Sequence, residues 1–156
     1  MTPAINEAKK QKIPFTVHQY SHNPDHSSYG LEAVEALDIE ASRVFKTLVV
    51  QLDNKTLSVA VVPVSNQLNM KLFAKAAEVK KAAMADAAQV EKSTGYVLGG
   101  VSPLGQKKRL PTIIDASAGN HETIFVSGGK RGLEIELKPA DLCRLTSGSF
   151  AAIVQD

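Results

Sequence analysis

Read for the spacing of its apolar residues, the chain alternates short helical and short extended segments. Thr2-Pro3 puts a good capping residue before a proline at the first helical position, which predicts a helix running to about residue 11. Pro14 opens an extended stretch over residues 15–20, and the Asn, Pro, Asp and Ser of residues 21–28 predict a loop. Leu31, Val34 and Leu37 give helical spacing to residues 30–37. Residues 44–52 and 56–64 are rich in β-formers, and Asp53-Asn54-Lys55 between them carries turn chemistry, so the pair reads as a hairpin. Leu68, Leu72, Ala76 and Val79 predict a helix over residues 68–79, and Asp86 is placed to cap another.

The second half has a different texture. Gly95-Tyr96-Val97-Leu98-Gly99-Gly100-Val101 is an apolar segment punctuated by glycine, and residues 102–109 form a loop ending in three consecutive bases. Residues 112–115, 123–126 and 133–137 read as strands. In the last, Leu133, Ile135 and Leu137 alternate with Glu134 and Glu136, the pattern of a half-buried strand. Pro139 starts a final helix. Strands outnumber long helices, so the expectation is an α+β fold on a mixed sheet, with residues 1–156 forming one domain.

Composition narrows the chemistry. The chain is 44% hydrophobic and 22% charged, an ordinary globular balance, but aromatics are only 5% and Trp is absent, so the core must be aliphatic. A net charge of +2 is too small for binding nucleic acid by overall charge and leaves room only for a local basic patch. The single cysteine, Cys143, forbids an intrachain disulfide and any cysteine cluster for zinc, and its place between Leu142 and Leu145 predicts packing rather than reactivity. Residues 1–12 lack the apolar block of a secretion signal, and no apolar run nears the ~20 residues of a membrane span, so a cytoplasmic protein without a membrane partner is expected.

Two glycine loops stand out. Ser127-Gly128-Gly129-Lys130-Arg131-Gly132 joins two predicted strands; it reads either as a plain hairpin turn or as a nest of amides for an anion. Gly100 and Gly105 have the gap of a phosphate loop, but Gln106-Lys107 stands where Lys followed by Ser or Thr is required, and Pro111 comes too soon for the receiving helix, so nucleotide binding there is rejected. Lys107, Lys108, Arg109, Lys130 and Arg131 face only Asp115 and Glu122 between residues 96 and 133, a local excess of +3. That patch is either an ordinary solvated face or a docking surface for the phosphates of a nucleic acid. Lys46 lies inside an apolar strand, where a cation needs a partner, a water-lined cleft or a route to solvent at the strand's start. His18, His22 and His26 recur every fourth residue, but prolines interrupt any helix that would align them, and a surface loop is the better reading than a metal site. There is no G-x-S-x-G, so a hydrolase here would rely on positioning and on backbone donors for a developing oxyanion.

Taken together, Met1-Thr2-Pro3-Ala4, Phe45-Lys46-Thr47-Leu48, Met84-Ala85-Asp86, Ser93-Thr94-Gly95-Tyr96, the run from Gly99 to Arg109 and the run from Val126 to Leu133 closely resemble the YbaK family of aminoacyl-tRNA deacylases. These clear cysteine from tRNA(Pro) and tRNA(Cys) and are related to the editing domain of bacterial prolyl-tRNA synthetases. The resemblance implies an α+β fold with a mixed, barrel-like β-sheet and short flanking helices, and hydrolysis of an aminoacyl ester without metal or other cofactor. It places the essential lysine on Lys46 and the catalytic turn on Gly100, Val101 and Ser102. Its substrate-lining positions fall on Tyr20, Tyr29, Thr47, Ser127 and Gly128, and its acidic pocket residue on Glu134. Tyr29 replaces a familiar Phe and Glu134 a familiar Asp, departures that bear on amino-acid selectivity. The mischarged tRNA is the implied partner, with Lys107, Lys108, Arg109, Lys130 and Arg131 on its acceptor end and prolyl- or cysteinyl-tRNA synthetase cooperating. A substrate thiol attacking its own ester would explain the missing enzyme nucleophile. Competing readings are a deacylase of the same fold for Ala or Ser, a module that binds aminoacyl-tRNA or a synthetase without turnover, and a histidine-ligated metalloenzyme.

Overall fold

Thr2 accepts a hydrogen bond from the Ile5 amide, and Pro3 needs no donor, so helix α1 starts where the sequence predicts and spans Pro3–Lys10. The computed structural model describes residues 1–26 and 28–155; Ser27, inside the predicted loop, lies outside the described residues. Strand β1 is Phe15–Gln19 and helix α2 is Tyr29–Leu37, capped by Ser28. The predicted hairpin is β2, Phe45–Leu52, paired antiparallel with β3, Leu57–Pro63.

Helix α3 covers only Met70–Ala76, shorter than its apolar spacing, because Asn69 caps it and Glu78 turns left-handed just beyond it. Strand β4, Ala82–Met84, follows, and then α4, Ala87–Thr94, whose start is fixed by a reciprocal box between Asp86 and Gln89. Strands β5, Thr112–Asp115, β6, Ile124–Ser127, and β7, Leu133–Leu137, precede α5, Pro139–Thr146, and a final strand β8, Ser149–Ala151.

The strands form two sheets. One has the order β1-β7-β6 and is antiparallel; the other has the order β4-β2-β3-β5-β8 and mixes antiparallel with parallel pairs. The mixed α+β architecture is thus present, with the barrel-like curl taking the form of two sheets joined by one parallel bridge, Val44 to Phe125, rather than a closed barrel. The main core lies between the sheets: Val49, Val59 and Val61 from one meet Val126, Ile135 and Leu137 from the other. A second core of Val50, Ala60, Val62 and Phe73 seals the outer face of the larger sheet under α3. A third, Ala33, Val44 and Phe125 with Tyr20 and Val64, seats α2 over the bridge.

The bridge positions the site. Beyond it β2 and β6 no longer pair, and a gap opens between Lys46-Thr47-Leu48 and Ser127. The Val64 amide bonds to Val44 O, and the Ala85 amide to Val49 O. By the alternation of an antiparallel ladder, Thr47 therefore turns its amide and carbonyl away from β3, into that gap.

Candidate functional site

The gap widens into a cavity of about 460 Å³, walled by β2, β6, β7, the start of α2 and the two glycine loops. Lys46 and Thr47 leave opposite faces of β2, and the cavity meets both because it opens at the strand's edge. Lys46 is half-buried and has no carboxylate within salt-bridge distance among the described residues. Burial holds its ammonium below the ordinary lysine range. The Thr47 hydroxyl is buried without a hydrogen-bond partner among the described residues.

Opposite stands Glu134. The alternation of β7 predicts a polar, water-facing position, yet Glu134 is only 7% exposed. The reason is topological: β7 is the middle strand of its sheet, and the face carrying Glu134, Glu136 and Phe125 is covered by α2 and the start of β2. Burial pushes the Glu134 carboxyl up to about 8, so it is mostly protonated at neutral pH. Tyr20, on the same side of the cavity, is raised to about 12, by burial first and by the Glu134 charge second.

The glycine loops are pinned to each other. A Cβ on Gly100 would fall 2.8 Å from the Lys130 Cα, and one on Gly129 would fall 2.9 Å from the Tyr96 ring. The N-terminus of α1 wedges between them: the Thr2 hydroxyl donates to Gly128 O, and Gly105 sits against the Pro3 carbonyl. Tyr96, whose hydroxyl donates to Leu104 O at 2.6 Å, braces the same junction. The sequence marks Thr2 as a helix cap and places Thr2 and Tyr96 in segments that carry the family resemblance, but assigns neither a part in joining the two loops.

Within the expected catalytic turn the three residues differ. The Gly100 amide is bonded to Val97 O at 3.0 Å, and Ser102 is fully buried with its hydroxyl accepting from the Leu104 amide, so neither faces the cavity. Val101 lines it, and the Val101 amide has no hydrogen-bond partner among the described residues. The expected nest in the other loop is likewise partly spent: the Gly128 amide bonds to Leu133 O at 2.8 Å and the Gly129 amide to the Ser127 hydroxyl at 3.1 Å. That loop is a hairpin connection that also lines the cavity through Ser127, Lys130 and Arg131.

The five expected tRNA-facing bases stand in different local settings. Arg131 is an internal clasp: its guanidinium bonds Glu32 at 3.0 Å, Asn23 O at 2.7 Å and His26 O at 3.1 Å, and lies over the Tyr29 ring at 4.4 Å. Burial alone would raise Glu32, but the Asn23 amide and the Arg131 charge hold it below the usual carboxylate range. Lys130 is exposed at the cavity's rim. Lys107, Lys108 and Arg109 are exposed but line no part of this cavity; Arg109 instead borders a separate hollow of about 110 Å³ with Glu7 and Thr146.

The histidines separate. His18 pairs with Glu136 at 2.9 Å, in a cluster with Arg43 and Thr123, and His26 pairs with Glu35 at 3.1 Å. No three metal-ligating side chains converge among the described residues. Cys143 packs half-buried, its thiol 3.2 Å from Gly148 O and raised by burial, away from the cavity.

The family model for the aminoacyl-tRNA editing domain matches residues 24–145 of this chain. A protein of Enterococcus faecalis (strain ATCC 700802 / V583), provisionally named Cys-tRNA(Pro)/Cys-tRNA(Cys) deacylase EbsC, is 41% identical over 153 residues, covering 97% of this chain and 92% of its own. The crystal structure of a provisionally assigned trans-editing enzyme for prolyl tRNA synthetase superposes with a TM-score of 0.84 at 19% identity, over 100% of this chain and 99% of that one. That of hypothetical protein APE2540 gives a TM-score of 0.86 at 21% identity, over 98% and 99%. At these identities the two structures establish the fold alone.

Proposed function

The chain belongs to the aminoacyl-tRNA editing domain family, and on that premise we propose that it is a deacylase of mischarged aminoacyl-tRNA acting on Cys-tRNA(Pro) and Cys-tRNA(Cys). The observation that carries the reading is the convergence of Lys46, a Val101 amide without a partner among the described residues and a neutral Glu134 on one cavity of amino-acid-plus-nucleoside size.

An aminoacyl ester is already activated, so placement and charge stabilisation suffice. Water adds to the acyl carbon, the carbonyl oxygen becomes an oxyanion, and the Val101 amide donates to it. The ribose oxygen then leaves and takes up a proton, giving free amino acid and a free tRNA hydroxyl. With cysteine, the substrate thiol can attack first, passing its proton to the ribose oxygen, and the resulting thiolactone is opened by water. Lys46, a half-buried cation without a counter-ion among the described residues, holds the anionic end of the substrate. Glu134 and Tyr20 offer neutral hydrogen-bonding groups to the amino acid.

Lys46→Ala should lower kcat/KM for Cys-tRNA(Pro) by about a hundredfold. Full activity in that variant would remove Lys46 from the mechanism, and equal turnover of Ser-, Ala- and Cys-tRNA(Pro) would overturn the cysteine assignment. Prolyl- or cysteinyl-tRNA synthetase is the proposed partner in choosing the tRNA, acting in the cytoplasm, and its addition should raise kcat/KM. In keeping with this, no helix among the described residues is long and apolar enough to cross a membrane.

A further inference from the structure

Leu98 and Tyr29 line the cavity and are nonetheless 55% and 47% exposed, and Val97, next in the chain, is 65% exposed. Two large apolar side chains thus stand partly exposed on the cavity's lining with a third beside them in the chain, where isolated ones would call for no explanation.

The turn that carries two of them is built to be stiff. The Gly100 amide closes it onto Val97 O at 3.0 Å, with Leu98 and Gly99 at its centre and Gly99 at φ +92°. A Cβ on Gly99 would fall 2.9 Å from the Tyr29 ring, and one on Gly100 would strike the Lys130 backbone, so the turn is clamped from both sides. Tyr29 is itself fixed, with the Arg131 guanidinium 4.4 Å from its ring centroid. Nothing in turn chemistry requires an aliphatic residue at the position of Leu98, where solvent favours a polar one. The exposed ammonium of Lys130 stands at the same rim.

We infer that this lip is a stacking platform for the unpaired nucleotides preceding the terminal adenosine of the tRNA, with Lys130 meeting their phosphates. The inference rests on the deacylase reading above. The cavity holds one aminoacyl nucleoside, so the chain leading to it must lie across the mouth. Single-stranded RNA is bound without dependence on base identity by cations along the backbone and by stacking on aromatic side chains, and apolar side chains also pack against an unstacked base. Lys46 and Lys130, which both line the cavity, supply the complementary charge.

The test uses Leu98→Ser and Val97→Ser, both on exposed side chains, with melting temperature as the check on folding. Binding of a short oligoribonucleotide ending in CCA, read by fluorescence anisotropy, should weaken about tenfold in Leu98→Ser and less in Val97→Ser. The ratio of kcat/KM for Cys-tRNA(Pro) to that for cysteinyl-adenosine, which has no preceding nucleotides, should fall about tenfold, through KM. Unchanged oligonucleotide binding and an unchanged ratio would overturn the platform and leave the lip to a protein partner. If the wild type cleaves neither ester, the deacylase reading fails, while the binding experiment still decides the platform.

Discussion

Replacing Glu134 by glutamine isolates the energetic consequence of one buried carboxyl. In the unfolded chain this group titrates near 4.5, and in the folded protein at about 8, because burial penalises the anion. Between those values the native state holds a proton that the unfolded state has released. The stability contributed by the neutral carboxyl is therefore complete below the unfolded value and is lost as pH rises through the folded one. The slope approaches about 1.4 kcal/mol per pH unit inside the window, which gives about 2.5 kcal/mol between pH 5.5 and 7.5. That figure is a ceiling, since water entering the cavity solvates the anion. Glutamine has nearly the same shape and no ionisation, so its stability lacks this dependence. Urea unfolding of both proteins at pH 5.5, 6.5 and 7.5 measures the difference directly. A wild-type-minus-variant difference that stays constant within about 0.5 kcal/mol would mean that Glu134 is ionised and solvated, and that the neutral hydrogen-bonding wall assigned to it does not exist.

Arg131→Ala should cost about 3 kcal/mol in chemical denaturation, because it strands Glu32, 4% exposed, without its counter-ion. Arg131→Lys should recover less than half, since one ammonium cannot span Glu32, Asn23 and His26. Glu32 is held below its ordinary range, so this stabilisation is present above the unfolded value and fades as pH falls through the folded one; the deficit of Arg131→Ala should shrink in acid. Gly100→Ala drives a methyl into the Lys130 backbone and should both destabilise by about 1–3 kcal/mol and lower deacylation more than tenfold. Gly119→Ala, with nothing within 4 Å of the new Cβ, should do neither; equal effects at both positions would show that the two loops need not touch.

Where local chemistry decides structure, the sequence was a sound guide. Thr2, Asp86 and Pro139 mark helix starts, and Asp53-Asn54-Lys55 marks the hairpin, because caps and turns are settled within a few residues. Strands β4 and β8 escaped notice: each is three residues long at a sheet edge and is defined by its partner, not by its own pattern. Glu134 was legible as a pocket residue only through resemblance, since its alternation with Leu133 and Ile135 describes a strand with one wet face. The second face is dry because α2 and β2, remote in sequence, cover it. The basic residues are likewise indistinguishable in sequence: Arg131 looks like its neighbour Lys130, but its carboxylate partner lies 99 residues upstream. The roles of Gly100, Val101 and Ser102 separate only once hydrogen bonds are assigned, because composition cannot say which of three successive amides is already satisfied.

The smaller sheet pairs residues 15–19 with residues 133–137, so its first strand must wait for its neighbour. During synthesis β1 leaves the ribosome more than a hundred residues ahead of β7, and until β7 emerges neither Glu134 nor the wall behind it exists. The larger sheet can begin with its hairpin, a nearby pairing that closes quickly. A nascent chain therefore carries Lys46 long before it has a pocket to serve, and a product stopping short of residue 133 lacks the wall that Glu134 forms. Completion of the cavity therefore waits on a strand made late in synthesis.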